Sequence, residues 1–205
     1  MVKFFVAWIG IFIVAPAMAY NCLDFKVKPE IDIVKPEYVV KVEQPDQEMD
    51  LTTHGHVQSS FISQYHIAAE STFIKTGFCV ALKRIDVTLG YNEFLVNIDK
   101  NYIPGTCAYD AVMAHEQKHI DTYLSVLDGF QADIKKAVTV AADSVMPVFV
   151  ERSSEINGAI EQMYEDLYSH PDLVLLNQKI RAAEEIKNNQ VDQNETGADL
   201  KKCFE

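Results

Sequence analysis

The chain has 205 residues, 48% of them hydrophobic, and a formal net charge of −12 at pH 7. An acidic balance of this size argues against nucleic acid and anionic membrane surfaces as partners. The length and apolar content suffice for one domain with a buried core.

The N-terminus has the pattern of a secretory signal peptide. Lys3 gives a short basic start, an apolar run covers Phe4–Val14, and Ala17-Met18-Ala19 forms a small-x-small cleavage site before Tyr20. The alternative interpretation is a membrane anchor, for which the run is short. We therefore predict a signal peptide over residues 1–19.

The remainder is predicted to be one domain over residues 20–190 and a polar C-terminal tail over 191–205. Removal of Lys3 with the signal takes the net charge to −13. No second apolar run is long enough to span a bilayer. We expect an exported protein, periplasmic or extracellular, with no membrane contact after cleavage.

The first half of this domain has the patterns of strands. Two short alternating runs, 25–28 and 38–42, are bordered by prolines and predict edge strands. Residues 51–76 fit either strand or short helix. Stronger strands are predicted over Cys79–Leu89 and Glu93–Ile98, joined by a turn at Gly90-Tyr91-Asn92. The apolar period then changes from about 2 to about 3.6. The predicted fold class is α+β, with a small antiparallel sheet followed by a helical part.

Four cysteines survive removal of the signal, and an even number in an exported chain predicts two disulfides. Three connectivities are possible. We favour Cys79–Cys107, which would tie a strand to the following helix, and Cys22–Cys203, which would join the two ends of the mature chain. The thiols lack C-x-x-C spacing, which argues against metal binding by them.

The most informative segment is His115-Glu116-Gln117-Lys118-His119, an H-E-x-x-H sequence. It lies in a helix predicted over residues 107–145, with Thr106 as N-cap. Side chains four residues apart share one face of a helix. Both imidazoles can therefore reach one metal ion, and the glutamate beside them can act on a metal-bound water.

The orientation of the motif favours this chemistry over a solvated charge pattern. At about 100° per residue, His115, Glu116 and His119 lie away from the polar stripe of the helix. That stripe consists of Asp110, Gln117, Lys118, Asp121 and Ser125. Buried imidazoles and carboxylates need partners, because an unpaired buried charge is costly. The competing interpretation is a hydrogen-bonded polar cluster in the core, with no metal.

A catalytic zinc site usually has three protein ligands, so a third must come from further along the chain. Two more helices are predicted, over Pro147–Tyr168 and Pro171–Lys187. His170 stands at the break between them, where a side chain can turn back to the first helix. The alternatives are Glu151, Glu155 and Glu161, and beyond these His54, His56 and His66.

The segment Cys107–His119 resembles a bacterial family of predicted secreted zinc-dependent proteases. That family has a cysteine shortly before an H-E-Q-x-H helix and, downstream, a tyrosine followed six residues later by a histidine. Tyr164 and His170 match this spacing, with Glu165 in place of the usual aspartate. After His170 the family has Gly, Gln and Trp, whereas this chain has Pro171-Asp172. The resemblance covers roughly residues 79–170 and implies a zincin-like fold with His170 as the third ligand.

The expected function is hydrolysis of a peptide or protein substrate by metal-activated water. The expected Zn²⁺ ligands are His115, His119 and His170. For catalysis, we expect Glu116 to be the general base and Tyr164 the hydrogen-bond donor to the oxyanion. Tyr168 is an alternative donor, and Tyr123 is expected to pack in the core. Two other functions fit the motif: a non-catalytic secreted metal-binding or interaction domain, and a hydrolase of another bond such as a cell-wall amide.

Overall fold

The computed structural model describes residues 22–45, 54–194 and 201–204. The predicted signal peptide lies outside these residues. The strands are β1 Glu30–Val34, β2 Val39–Glu43, β3 Gly55–Ile74, β4 Gly77–Ile98 and β5 Val148–Val150; the helices are α1 Cys107–Gly129, α2 Gln131–Ser144, α3 Ile156–Tyr168 and α4 Pro171–Asn194, and short 3₁₀ helices cover Cys22–Phe25 and Ser153–Glu155. Within the described part of the chain, no helix is both long and apolar enough to cross a membrane.

The sheet is built around β4. One edge of β4 pairs with β3 in antiparallel register, so that Tyr65 lies opposite Val87. Its other edge pairs with β1 and β2, both parallel, and with β5, antiparallel. The α+β class is confirmed, but the expected antiparallel sheet is wrong because the two N-terminal strands lie parallel to β4.

The turn predicted at residues 90–92 is also wrong, since β4 runs unbroken through it. Gly90 has a φ of +151°, a conformation that glycine adopts without steric cost. A Cβ at this position would lie 2.9 Å from Pro36 Cδ and 3.3 Å from Leu127 Cδ2. Glycine is therefore needed here for a close approach inside a strand, and the hairpin instead joins β3 to β4.

The core lies between one face of this sheet and the helices. Alternate residues of β4, including Ile85, Val87 and Leu89, are 2% exposed or less and share one apolar cluster with Ile120 of α1 and Ile180 of α4. Burial of this stripe explains why β4 is apolar at alternate positions. α1 packs on β3 and β4, and α4 packs against α1 and α2.

The helical half differs from the prediction at three boundaries. The predicted 107–145 helix is broken at Phe130, whose ψ of 2° ends α1. Residues 148–150 form β5 because their β-branched and aromatic side chains pair with the edge of β4. α4 continues to Asn194, so the first residues of the expected polar tail are helical.

Two disulfides are present, and the favoured pairing is wrong. Cys22 pairs with Cys79, and Cys107 pairs with Cys203, each with a Cα–Cα distance of 5.5 Å. The second bridge follows from the helix packing. α4 runs antiparallel to α1, so the end of α4, nine residues before Cys203, is directed towards the start of α1, where Cys107 lies.

Candidate metal centre

The two histidines of the motif converge as their spacing predicts. α1 begins at Cys107, after Thr106 caps it by accepting a hydrogen bond from the Tyr109 backbone N–H at 3.3 Å. His115 and His119 follow on one face, with their side chains 27% and 12% exposed. Their Nε2 atoms lie 3.1 Å apart. Both nitrogens can therefore bind one ion.

Asp192 of α4 completes the group. Its Oδ1 lies 3.1 Å from His119 Nε2 and 3.4 Å from His115 Nε2. In a tetrahedral zinc site with bonds of about 2.0–2.1 Å, neighbouring ligand atoms are about 3.3 Å apart. The three donor atoms thus match the face of such a tetrahedron, and the group His115, His119 and Asp192 could hold a metal ion. The Asp192 side chain is 58% exposed, which leaves this side of the group open to solvent.

Asn188 orients His119 for this role. The Asn188 Nδ2 donates to the Glu184 backbone carbonyl at 2.9 Å, which turns its Oδ1 towards His119. That Oδ1 lies 2.8 Å from His119 Nδ1 and must accept a hydrogen from it. In the neutral imidazole with this hydrogen on Nδ1, the lone pair that a metal requires is on Nε2. Metal-binding histidines commonly have such a partner on the second nitrogen.

Glu116 is buried beside the group, with 2% of its surface exposed. Its carboxylate lies directly against the backbone of Gly55, at the start of β3. Burial raises the pKa of Glu116; the nearby His115 and His119 oppose the rise, and Asp192 adds to it. Glu116 therefore interacts electrostatically with all three members of the group, and its raised pKa makes it a stronger base than an exposed glutamate.

The structure does not bring His170 into the group. His170 precedes α4, 22 residues before Asp192, and at 1.5 Å per residue the two are about 33 Å apart along the helix. Its Nδ1 instead lies 3.9 Å from the Asp172 carboxylate. The structure thus places Asp192, near the end of α4, beside His115 and His119, whereas His170, just before the start of α4, lies at the opposite end of the helix.

Tyr164 lies away from the motif as well. It stacks on Tyr168, which in turn meets Tyr65 in the middle of β3. Tyr65 is ten residues along the strand from Gly55, or about 33 Å. Neither tyrosine of α3 is therefore brought to Glu116. Tyr123 lies one helical turn beyond His119 and packs against the core rings of Tyr91 and Phe94, as expected, while it also lines a cleft.

The other candidate ligands have different surroundings. Glu155 is held by Arg152, which lowers the Glu155 pKa through their hydrogen bond. The His54 Nδ1 lies 2.6 Å from the Tyr102 hydroxyl. None of the remaining candidates joins a metal-binding group within the described residues: Glu151, Glu161, His56 and His66.

Asp192 was missed because the predicted helix ended at Lys187. The sequence signal for extending the helix to Asp192 is weak, because the apolar stripe of α4 continues beyond Ile180 mainly through the half-buried polar residues Glu184 and Asn188. Leu173, Leu176 and Ile180 continue at intervals of three or four residues to Val191. A helix extended on this spacing includes Asp192, four residues after Asn188.

Comparison of the chain with family models, with curated proteins and with solved structures found no match.

Proposed function

We propose that the protein is a zinc-dependent peptidase, with His115, His119 and Asp192 as metal ligands and Glu116 as general base. The observation that carries the proposal is the triangle of two Nε2 atoms and one carboxylate oxygen, with sides of 3.1, 3.1 and 3.4 Å. Two histidines and one carboxylate also form the ligand set of thermolysin-type enzymes, which leave one coordination position open.

Each residue has a role that its chemistry supports. When bound, zinc would lower the pKa of a coordinated water and polarise the substrate carbonyl. The neutral imidazoles of His115 and His119 bind without reducing the charge of the ion, while Asn188 keeps His119 in the required tautomer. Glu116 accepts a proton at its carboxylate and returns it to the leaving amine. Its raised pKa suits both steps, because the same group must take up and release the proton.

A second function uses the same ligands without catalysis. The burial of Glu116 against Gly55 favours it, since a general base must reach a water molecule. In this case the site would bind a metal for structure or for interaction. Two histidines and a carboxylate are also the donor set of non-haem iron sites, so the metal itself needs identification.

The test is hydrolysis of a quenched fluorogenic peptide mixture by the zinc-loaded chain and by Glu116→Gln. We expect Glu116→Gln to lose activity by about 10²–10⁴-fold, the usual contribution of a general base, while keeping one zinc per chain. Glu161→Gln makes the same change on the exposed surface of α3 and should keep full activity. Full activity in Glu116→Gln would refute the base assignment. Zinc binding without hydrolysis by the wild type would favour the second function.

A further inference from the structure

A cleft of about 710 Å³ lies between α4 and β3. One wall is the face of α4 that carries Asn177, Arg181, Glu185 and Asn188. The opposite wall is β3 at Ser59–Phe61, where a register shift interrupts the pairing with β4. The volume falls in the range of ligand-binding sites.

The cleft adjoins the candidate metal centre at Asn188. Asn188 lines it and also accepts the hydrogen bond from His119. Tyr123, one turn beyond His119 on α1, lines the same end. A chain lying in the cleft would therefore approach the ion that His115, His119 and Asp192 could hold.

The length of the cleft suits an extended peptide. From Asn188 to Asn177 is eleven residues of α4, or about 16 Å. An extended chain rises about 3.3 Å per residue, so the cleft accommodates about five residues on one side of the metal centre.

Charged side chains of opposite sign lie at different distances from the metal centre along the α4 wall of the cleft. Glu184 and Glu185 lie nearer the metal centre and Arg181 lies further away. Glu184 accepts a hydrogen bond from the Tyr91 hydroxyl and interacts electrostatically with Arg181. Among the described residues, neither Arg181 nor Glu185 forms an ion pair with an N–O distance of 4.0 Å or less. The two are four residues apart, or about 6 Å along the helix, which equals about two residues of an extended chain.

We propose that this cleft holds the substrate chain on one side of the cleaved bond and selects two side chains by charge. A basic side chain lies opposite Glu185, and an acidic side chain about two residues further from the bond lies opposite Arg181. This inference rests on the proposed peptidase function, because it assigns the substrate class of the same site.

The experiment is a cleavage-site profile over a peptide mixture prepared by chymotryptic digestion of a proteome, read by mass spectrometry. For the wild type we expect at least threefold enrichment of Lys and Arg at one position and of Asp and Glu about two residues further away. Glu185→Lys should reverse the first preference only, and Arg181→Glu the second only. Glu161→Lys, an equal charge change on α3 outside the cleft, should leave the profile unchanged.

The outcomes separate this inference from the function on which it rests. Cleavage with no charge preference, or with the same profile in all variants, would overturn the role of the cleft and leave the peptidase intact. If the wild type cleaves nothing, binding of the same peptides to the zinc-loaded chain is measured by retention and mass spectrometry. Charge-selective binding that Glu185→Lys reverses would support the cleft and refute hydrolysis, whereas no binding would overturn the cleft as well.

Discussion

Replacement of Asp192 by alanine tests the third metal ligand. Asp192 is exposed at the end of α4, so the substitution removes a ligand without opening a cavity in the core. Complete zinc sites with four protein ligands bind with about 10–16 kcal/mol, or about 2.5–4 kcal/mol per ligand. At 1.4 kcal/mol per decade, loss of one ligand should weaken zinc binding by about 10²–10³-fold.

The assay is competition for zinc against a chelating dye at pH 7, with His170→Ala as the matched control. The geometry predicts unchanged affinity in the control, because His170 lies about 33 Å from Asp192 along α4. Zinc affinity of Asp192→Ala within threefold of the wild type would refute the assignment. A large loss in His170→Ala would instead support the ligand that the family resemblance implies.

Three further predictions concern stability. Gly55→Ala places a methyl group on the Glu116 carboxylate and should lower both the melting temperature and activity. The control Gly158→Ala, with open space at its Cβ, should raise stability by about 0.5–1 kcal/mol. Equal melting temperatures in the two variants would contradict this packing. Paired alanine substitution at Cys107–Cys203, a separation of 96 residues, should lower the free energy of unfolding by up to about 4–5 kcal/mol, and an unchanged urea midpoint would contradict the pairing. Burial raises the pKa of Glu184, because the folded protein favours the protonated carboxyl. The stability that the protonated Glu184 contributes is therefore present below the unfolded-state pKa of about 4.3 and is lost as the pH rises through the folded-state pKa. Glu184→Gln should therefore exceed the wild type in stability by more at pH 7.5 than at pH 4 in urea unfolding, and an equal difference at both would refute the argument.

The local part of the site was predictable because it depends on spacing within one helix. His115, Glu116 and His119 are four residues apart or fewer, and the 3.6-residue period alone places them away from the polar stripe. The N-cap at Thr106 was predictable for the same reason, since it depends on neighbouring residues.

The remaining features depend on contacts between distant residues. Asp192 lies close to His119 only because α4 packs antiparallel against α1. The same packing decides that Cys107 pairs with Cys203. The parallel pairing of β1 and β2 with β4 likewise joins segments more than 50 residues apart, and no local pattern encodes it. Gly90 resembles a turn residue because the sequence does not reveal that Pro36 needs the space.

The most direct test of the metal centre is anomalous diffraction at the zinc absorption edge, from crystals of the protein grown with zinc. We expect one strong peak about 2.0–2.1 Å from His115 Nε2, His119 Nε2 and an Asp192 oxygen, with the Glu116 carboxylate beside it. A peak coordinated by other residues, or no peak at these histidines, would contradict it.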